Sequence, residues 1–291
     1  MRKNLFRAMR PDEFLEAIEK VAPSRPFADN FRSFCEAAYC ALARRATADR
    51  QRAQQLEQRY ESVMDAYGGH RLESHERLSD LLGRLARTLY LTEDDFLGQA
   101  YMASGIADPQ RGVAFSPTGV GQLLSRLIFP HAERQDIAAV VAKGEPFPVS
   151  DPTCGSGILV IQVADLLKYQ GFDLGRTLLA HMTDINPLCF QMAFVQAELL
   201  GIPAVIERGD TLTLETFEVA HTTKAMLEVY RRGMLQRRLG RPRIGETRET
   251  AATPRDETNA AAVVPPRVRS QNSAPSARSC PGRQGDLFDD E

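Results

Sequence analysis

From residue 11 to residue 91 apolar side chains recur every three to four positions, as in Phe31, Phe34, Ala38 and Leu42, among Ala, Glu, Arg and Gln. That spacing places them on one face of a 3.6-residue helix, so residues 1–92 read as a helical domain. A long helix runs from about Thr47 to Tyr67 and stops at Gly68-Gly69, and Leu78, Leu81, Leu82, Leu85 and Leu89 carry the next one.

The texture changes between Pro146 and Asp210, where short apolar runs alternate with helical stretches. Phe147 to Ser150, Leu178 to Thr183 and Ala204 to Glu207 read as strands; the helices between them run from about Gly157 to Tyr169 and from Pro187 to Leu200. Pro187 suits a first helical turn and Gly201 the residue past a last one. Successive strand-helix units predict an α/β fold with a mostly parallel, Rossmann-like sheet over residues 93–239. From residue 240 to residue 291 apolar periodicity vanishes among Arg, Pro, Ala, Ser, Thr and acidic residues, and this tail is expected to be disordered.

Composition changes this picture little. Hydrophobic residues at 43% of 291 suffice for a core, and a formal charge of −2 rules out a uniformly basic coat while leaving room for a local basic patch. Cys35, Cys40, Cys154, Cys189 and Cys280 form no C-x-x-C pair, which argues against a zinc ribbon and a disulfide framework; no metal site is expected. No apolar run has signal-peptide or membrane-spanning length, so a soluble, cytoplasmic protein is expected.

The candidate chemistry lies at the strand ends, where ligands collect in parallel sheets. Asp151-Pro-Thr-Cys-Gly-Ser-Gly157 follows the first strand and opens a helix, so its glycines allow close backbone approach and the helix start offers free N–H groups; it is also simply what a tight strand-helix turn looks like. Asp184 ends the second strand, where a carboxylate can accept from two ribose hydroxyls or cap the helix beginning at Pro187. Asp210, in Gly-Asp-Thr-Leu, ends the third; it can accept from an exocyclic amine or serve as a turn residue.

Taken in order, Phe115-Ser-Pro-Thr118, Asp151 to Gly157, Asp184-Ile-Asn-Pro-Leu188 and Gly209-Asp-Thr-Leu212 resemble consecutive motifs of the adenine-N6 DNA methyltransferases, most closely the modification subunits of type I restriction systems. Asp94 to Met102 also resembles the segment before F-T-P in that family, so the likeness spans about Asp94 to Leu212, with Ser116 where the family has Thr. The resemblance implies S-adenosylmethionine as cofactor. It implies that Phe115 and Thr118 cover one side, that Gly155, Ser156 and Gly157 lie under the methionine portion, and that Asp151 orients its amino-acid end. Asp184 would then take the ribose and Asp210 the adenine ring.

One family element is missing. The fourth strand there ends in N-P-P-F or N-P-P-Y, which hydrogen-bonds and stacks the flipped adenine. Here the corresponding stretch reads Phe217-Glu-Val-Ala-His-Thr-Thr-Lys224, in which His221 reads as an exposed loop histidine, and the one Pro-Pro, at Pro265-Pro266, lies in the tail. No catalytic residue is therefore assigned. Three strands alone would leave the first as an edge, to be paired by Phe217 to Ala220, by a partner chain, or covered by a helix over Lys224 to Leu239 with Met226, Leu227, Met234 and Leu235 turned inward. The six arginines from Arg231 to Arg243 suit either phosphate contact or a solvated helix end.

Two functions follow: an adenine-specific DNA methyltransferase or its modification subunit, with the missing motif supplied by a partner chain or an unrecognised substitute, and an inactive relative that binds S-adenosylmethionine, DNA or a restriction-modification partner. A methyltransferase of RNA or protein glutamine fits the helical N-terminus and the F-S-P-T segment less well. Gln284-Gly-Asp-Leu-Phe288 also resembles the short peptides that dock on the bacterial sliding clamp.

Overall fold

The computed structural model describes residues 7–106, 118–128, 137–139, 142–143 and 145–227. Phe115, the tail from residue 240, the arginine-rich stretch and Gln284 to Phe288 lie outside them. Five helices come first: α1 (Pro11–Val21), α2 (Phe27–Ala46), α3 (Arg50–Asp65), α4 (Arg71–Thr92) and α5 (Phe96–Ala103). The break expected at Gly68-Gly69 is a single 3-10 turn, Gly68–His70, with Gly68 at φ 54°. Phe14 of α1 meets Phe34 and Phe96 edge-on, at ring separations of 5.2 and 5.5 Å, so α1, α2 and α5 share one aromatic centre.

After α6 (Thr118–Ile128) comes the α/β layer: β1 (Phe147–Asp151), α7 (Ile158–Tyr169), α8 (Leu174–Thr177), β2 (Leu178–Asp184), α9 (Pro187–Leu199), β3 (Ala204–Asp210) and β4 (Glu215–His221). The three expected strands and the two helices between them are all present. The sheet order is β1-β2-β3-β4, with β1, β2 and β3 parallel and β4 antiparallel to β3. Because β1 to β3 advance in one direction, right-handed crossovers put α7 and α9 on the same face. On that face Leu178, Ala180, Met182, Ala204 and Ile206 are completely buried. The other face carries Pro148, Ser150 and His181, exposed, with His181 Nε2 3.1 Å from Glu207 Oε1.

Helix α9 explains how the helical region meets the sheet. It is buried continuously from Leu188 to Ala197, as a helix must be when it has apolar neighbours on both sides. One side lies on β2 and β3; on the other, the Tyr39 ring of α2 packs against Phe190 and Phe194, each at 5.1 Å.

The fourth strand exists but pairs with β3. Only four residues, Thr211 to Leu214, separate the two strands, whereas a parallel neighbour needs a crossover of about a dozen residues. The chain turns back instead, through Leu214 at φ 61°, and His221 closes the strand opposite Val205 rather than lying in a loop. Among the described residues nothing pairs with the outer edge of β1. A helix begins at residue 223, as expected, yet Ala225 is its buried residue and Leu227 is 57% exposed, which corrects the inward orientation expected for Leu227. Strand β4 is tied down by Glu218, whose carboxylate accepts from Tyr39 Oη at 2.7 Å, from Arg59 at 2.6 Å and from Arg52.

Candidate functional site

The register aligns Asp151 with Met182 and Asp184 with Arg208, so Asp151, Asp184 and Asp210 stand at the same end of three adjacent strands. This is the end at which α7 and α9 begin.

The loop from Asp151 to Gly157 is held from both sides. Cys154 N donates to the Thr183 carbonyl at 2.9 Å and Gly155 N to Asp184 Oδ2 at 2.9 Å, which anchors the loop to the end of β2. Thr211 Oγ1 donates to the Pro152 carbonyl at 2.5 Å, which ties it to the turn after β3. Gly155 and Gly157 have φ of 54° and 95°, a region where a side chain is strained, and Gly157 then leads directly into α7. The result is a rigid turn with a helix N-terminus behind it, the arrangement that presents unpaired N–H groups to a ligand.

The structure resolves the alternatives for the acidic residues in part. Asp184 is not the cap of α9; Asn186 is, its side chain accepting from Leu188 N at 2.9 Å. The Asp184 carboxylate bridges two backbones, Oδ2 accepting from Gly155 N and Oδ1 from Asn186 N at 2.8 Å. Each carboxylate oxygen has a second lone pair and the Cys189 thiol draws on one of them, so a half-buried Asp184 still has acceptor capacity for a ligand hydroxyl. Asp210 has the turn role, Oδ1 accepting from Leu212 N at 2.8 Å and Thr213 N at 3.3 Å. Asp151 is buried and accepts from Thr153 N at 3.2 Å.

Burial pushes the Asp184 carboxyl above its ordinary range against the pull of its two backbone N–H donors and the Cys189 thiol. Burial raises Asp151 as well, and the charge of Asp184 adds to the rise. Two neighbouring carboxylates at the start of α7 suit a ligand that brings hydroxyl or ammonium donors, because such donors favour the charged form that burial disfavours. Thr118 begins α6, which packs on α7; Gly121 is close enough that a methyl there would press on Ile158. A cleft of about 870 Å³ runs from the first turn of α9 to α2 and α3, lined by Asn186, Pro187, Leu188 and Gln191 on one side and by Arg32, Ser33, Glu36 and Val63 on the other, with Tyr101 and Ile106.

Sequence reasoning missed the support behind the loop. Asp95, Ser156 and Gln196 are all buried, and the Ser156 hydroxyl donates to Asp95 Oδ2 at 2.5 Å. Two signals were present: Asp95 stands before an apolar run as a helix cap does, and Gln196 is a polar residue deep in an apolar helix. Among the described residues no His, Cys, Asp and Glu cluster could hold a metal, and no helix is long and apolar enough to cross a membrane.

No family model matches the chain, and no curated protein matches it. Among solved structures, a putative class I S-adenosylmethionine-dependent methyltransferase from Listeria monocytogenes is similar at a TM-score of 0.35 and 15% identity, over 67% of this chain and 52% of that one. The chain thus spans about half the length of that protein.

Proposed function

We propose that this chain is the cofactor-binding part of an S-adenosylmethionine-dependent adenine-N6 DNA methyltransferase, completed by a second chain that holds the target base. The observation that carries the reading is the Asp151 to Gly157 turn: two left-handed glycines opening α7, locked by Asp184, with carboxylates at three consecutive strand ends.

The residues fit the group. The glycine backbone and the start of α7 would lie against its amino-acid end, with Asp151 as the nearby acceptor for the ammonium. Asp184, with acceptor capacity beyond its two backbone donors and the Cys189 thiol, would take the ribose hydroxyls. Asp210, whose turn hydrogen bonds both fall on Oδ1, retains Oδ2 for the adenine amine. When bound, S-adenosylmethionine supplies an electrophilic methyl group on a sulfonium. The chain's own contribution is positioning and exclusion of water.

The same resemblance makes DNA the substrate and a chain carrying N-P-P-F or N-P-P-Y the partner. The sheet is consistent with that need, since β4 folds back on β3 and the β1 edge has no neighbour among the described residues. The missing motif favours a second reading, an inactive relative that binds cofactor and DNA without turnover. Methyl transfer from labelled S-adenosylmethionine to DNA, measured with and without a neighbouring-gene product that carries the motif, separates them. The first reading expects N6-methyladenine only when both chains are present; bound cofactor and no transfer in either arm would leave the second.

A further inference from the structure

We infer that Asp95 and Gln196 are positioning residues for the cofactor loop, acting through Ser156; the inference rests on the cofactor reading above. The Asp95 carboxylate is 3% exposed, yet among the described residues no cation pairs with it. Its partners are neutral donors: the Ser156 hydroxyl at 2.5 Å, Gly98 N at 2.9 Å and Gln196 Nε2 at 2.8 Å. Burial pushes this carboxyl upward, against the pull of those three donors.

A buried carboxylate without a counter-ion costs stability, and a neutral cap at the start of α5 would serve the helix at less cost. What the charge adds is a short hydrogen bond to the middle residue of the Gly155-Ser156-Gly157 turn. Gln196 closes the arrangement from α9, donating to the Ser156 carbonyl at 2.9 Å while its Oε1 accepts from Leu97 N at 2.9 Å. Both polar ends of Ser156 are therefore fixed by residues 61 and 40 positions away. The space is shaped for this: a methyl at Gly98 would overlap both the Asp95 carboxylate and the Ser156 hydroxyl.

The two residues before Asp95 hold the rest of the unit. Glu93 pairs with Lys168 at 2.7 Å, and Asp94 accepts from Gln162 at 3.2 Å, both on α7. The acidic turn thus grips the helix that the loop opens, as well as the loop itself. It holds the turn in its ligand-ready shape before any ligand arrives, which lowers the ordering cost of binding.

The test is hydrogen exchange of the peptide spanning residues 152–158, together with S-adenosylmethionine affinity, in Asp95→Asn, Ser156→Ala and the double variant. Each single change should raise loop exchange and weaken affinity by about tenfold, the size of one charge-assisted hydrogen bond, with exchange in β3 unchanged. The double variant should be no worse than the singles, because both remove the same bond. Ser156→Ala keeps the test decisive if Asp95→Asn fails to fold. Unchanged loop exchange, or strictly additive effects, would overturn the proposal. A wild-type chain that binds no cofactor would sink the cofactor reading alone, since the exchange arm still decides whether Asp95 holds the loop.

Discussion

At the residue scale, Asp184 links the fold to the proposed chemistry. Its carboxylate is the only acceptor for Gly155 N in the described structure, and it holds the Asn186 backbone at the start of α9. Gly157 has the complementary role, because only a residue without a side chain adopts its φ of 95° without strain. Gly157→Ala should lower stability by about 1–2 kcal/mol, read from urea unfolding. Retention of full stability would show that the turn relaxes freely. The strand-end acids were legible in the sequence because turn glycines and terminal carboxylates follow from local pattern. Asp95 and Gln196 were not legible as a unit: their partners lie 61 and 40 residues away, and only tertiary packing brings them to Ser156.

At the scale of elements, α9 and β4 decide how the layers hold together. Phe194 is fully buried against Tyr39, so Phe194→Ala should cost about 3–5 kcal/mol by loss of contact and a residual cavity, measured as a fall in the unfolding midpoint. Glu218 fastens β4 to α2 and α3. Burial works against its charge, but the hydrogen bonds from Tyr39 and Arg52 and the charge of Arg59 prevail and hold its carboxyl below the usual range. The sign follows: its contribution is present above the unfolded pKa of a glutamate and is lost as pH falls through the lower folded value. Glu218→Gln should cost about 2 kcal/mol at neutral pH, less than a fully buried pair because the arginines are about a third exposed. Its stability should then fall less steeply in acid than that of the wild type; identical acid limbs would remove Glu218 from the account. The strands and helices of the α/β layer were legible from periodicity. Phe217 to Ala220, in the sequence one candidate neighbour for β1, instead pairs with β3, because the four-residue connection is too short for a parallel neighbour.

At the scale of the molecule, the described residues form one face-covered sheet with a helical layer on α9, and the site opens where α7 and α9 start. A ligand that binds this folded site and not the unfolded chain must raise the melting temperature. Saturation at a hundred times the dissociation constant stabilises by about 2.7 kcal/mol, which thermal denaturation resolves easily. The tail adds a separate expectation for Gln284 to Phe288: Leu287→Ala with Phe288→Ala should abolish binding to a bacterial sliding clamp. Equal affinity of wild type and variant would remove the clamp from the partners.

The most direct measurement is calorimetric titration of the chain with S-adenosylmethionine, beside Asp184→Ala confirmed as folded by circular dichroism. The account predicts saturable one-site binding that weakens at least about tenfold in the variant, the loss expected when an acceptor for two hydroxyls is removed. Absence of binding, or binding that Asp184→Ala leaves unchanged, would contradict the assignment of this strand-end site to the cofactor.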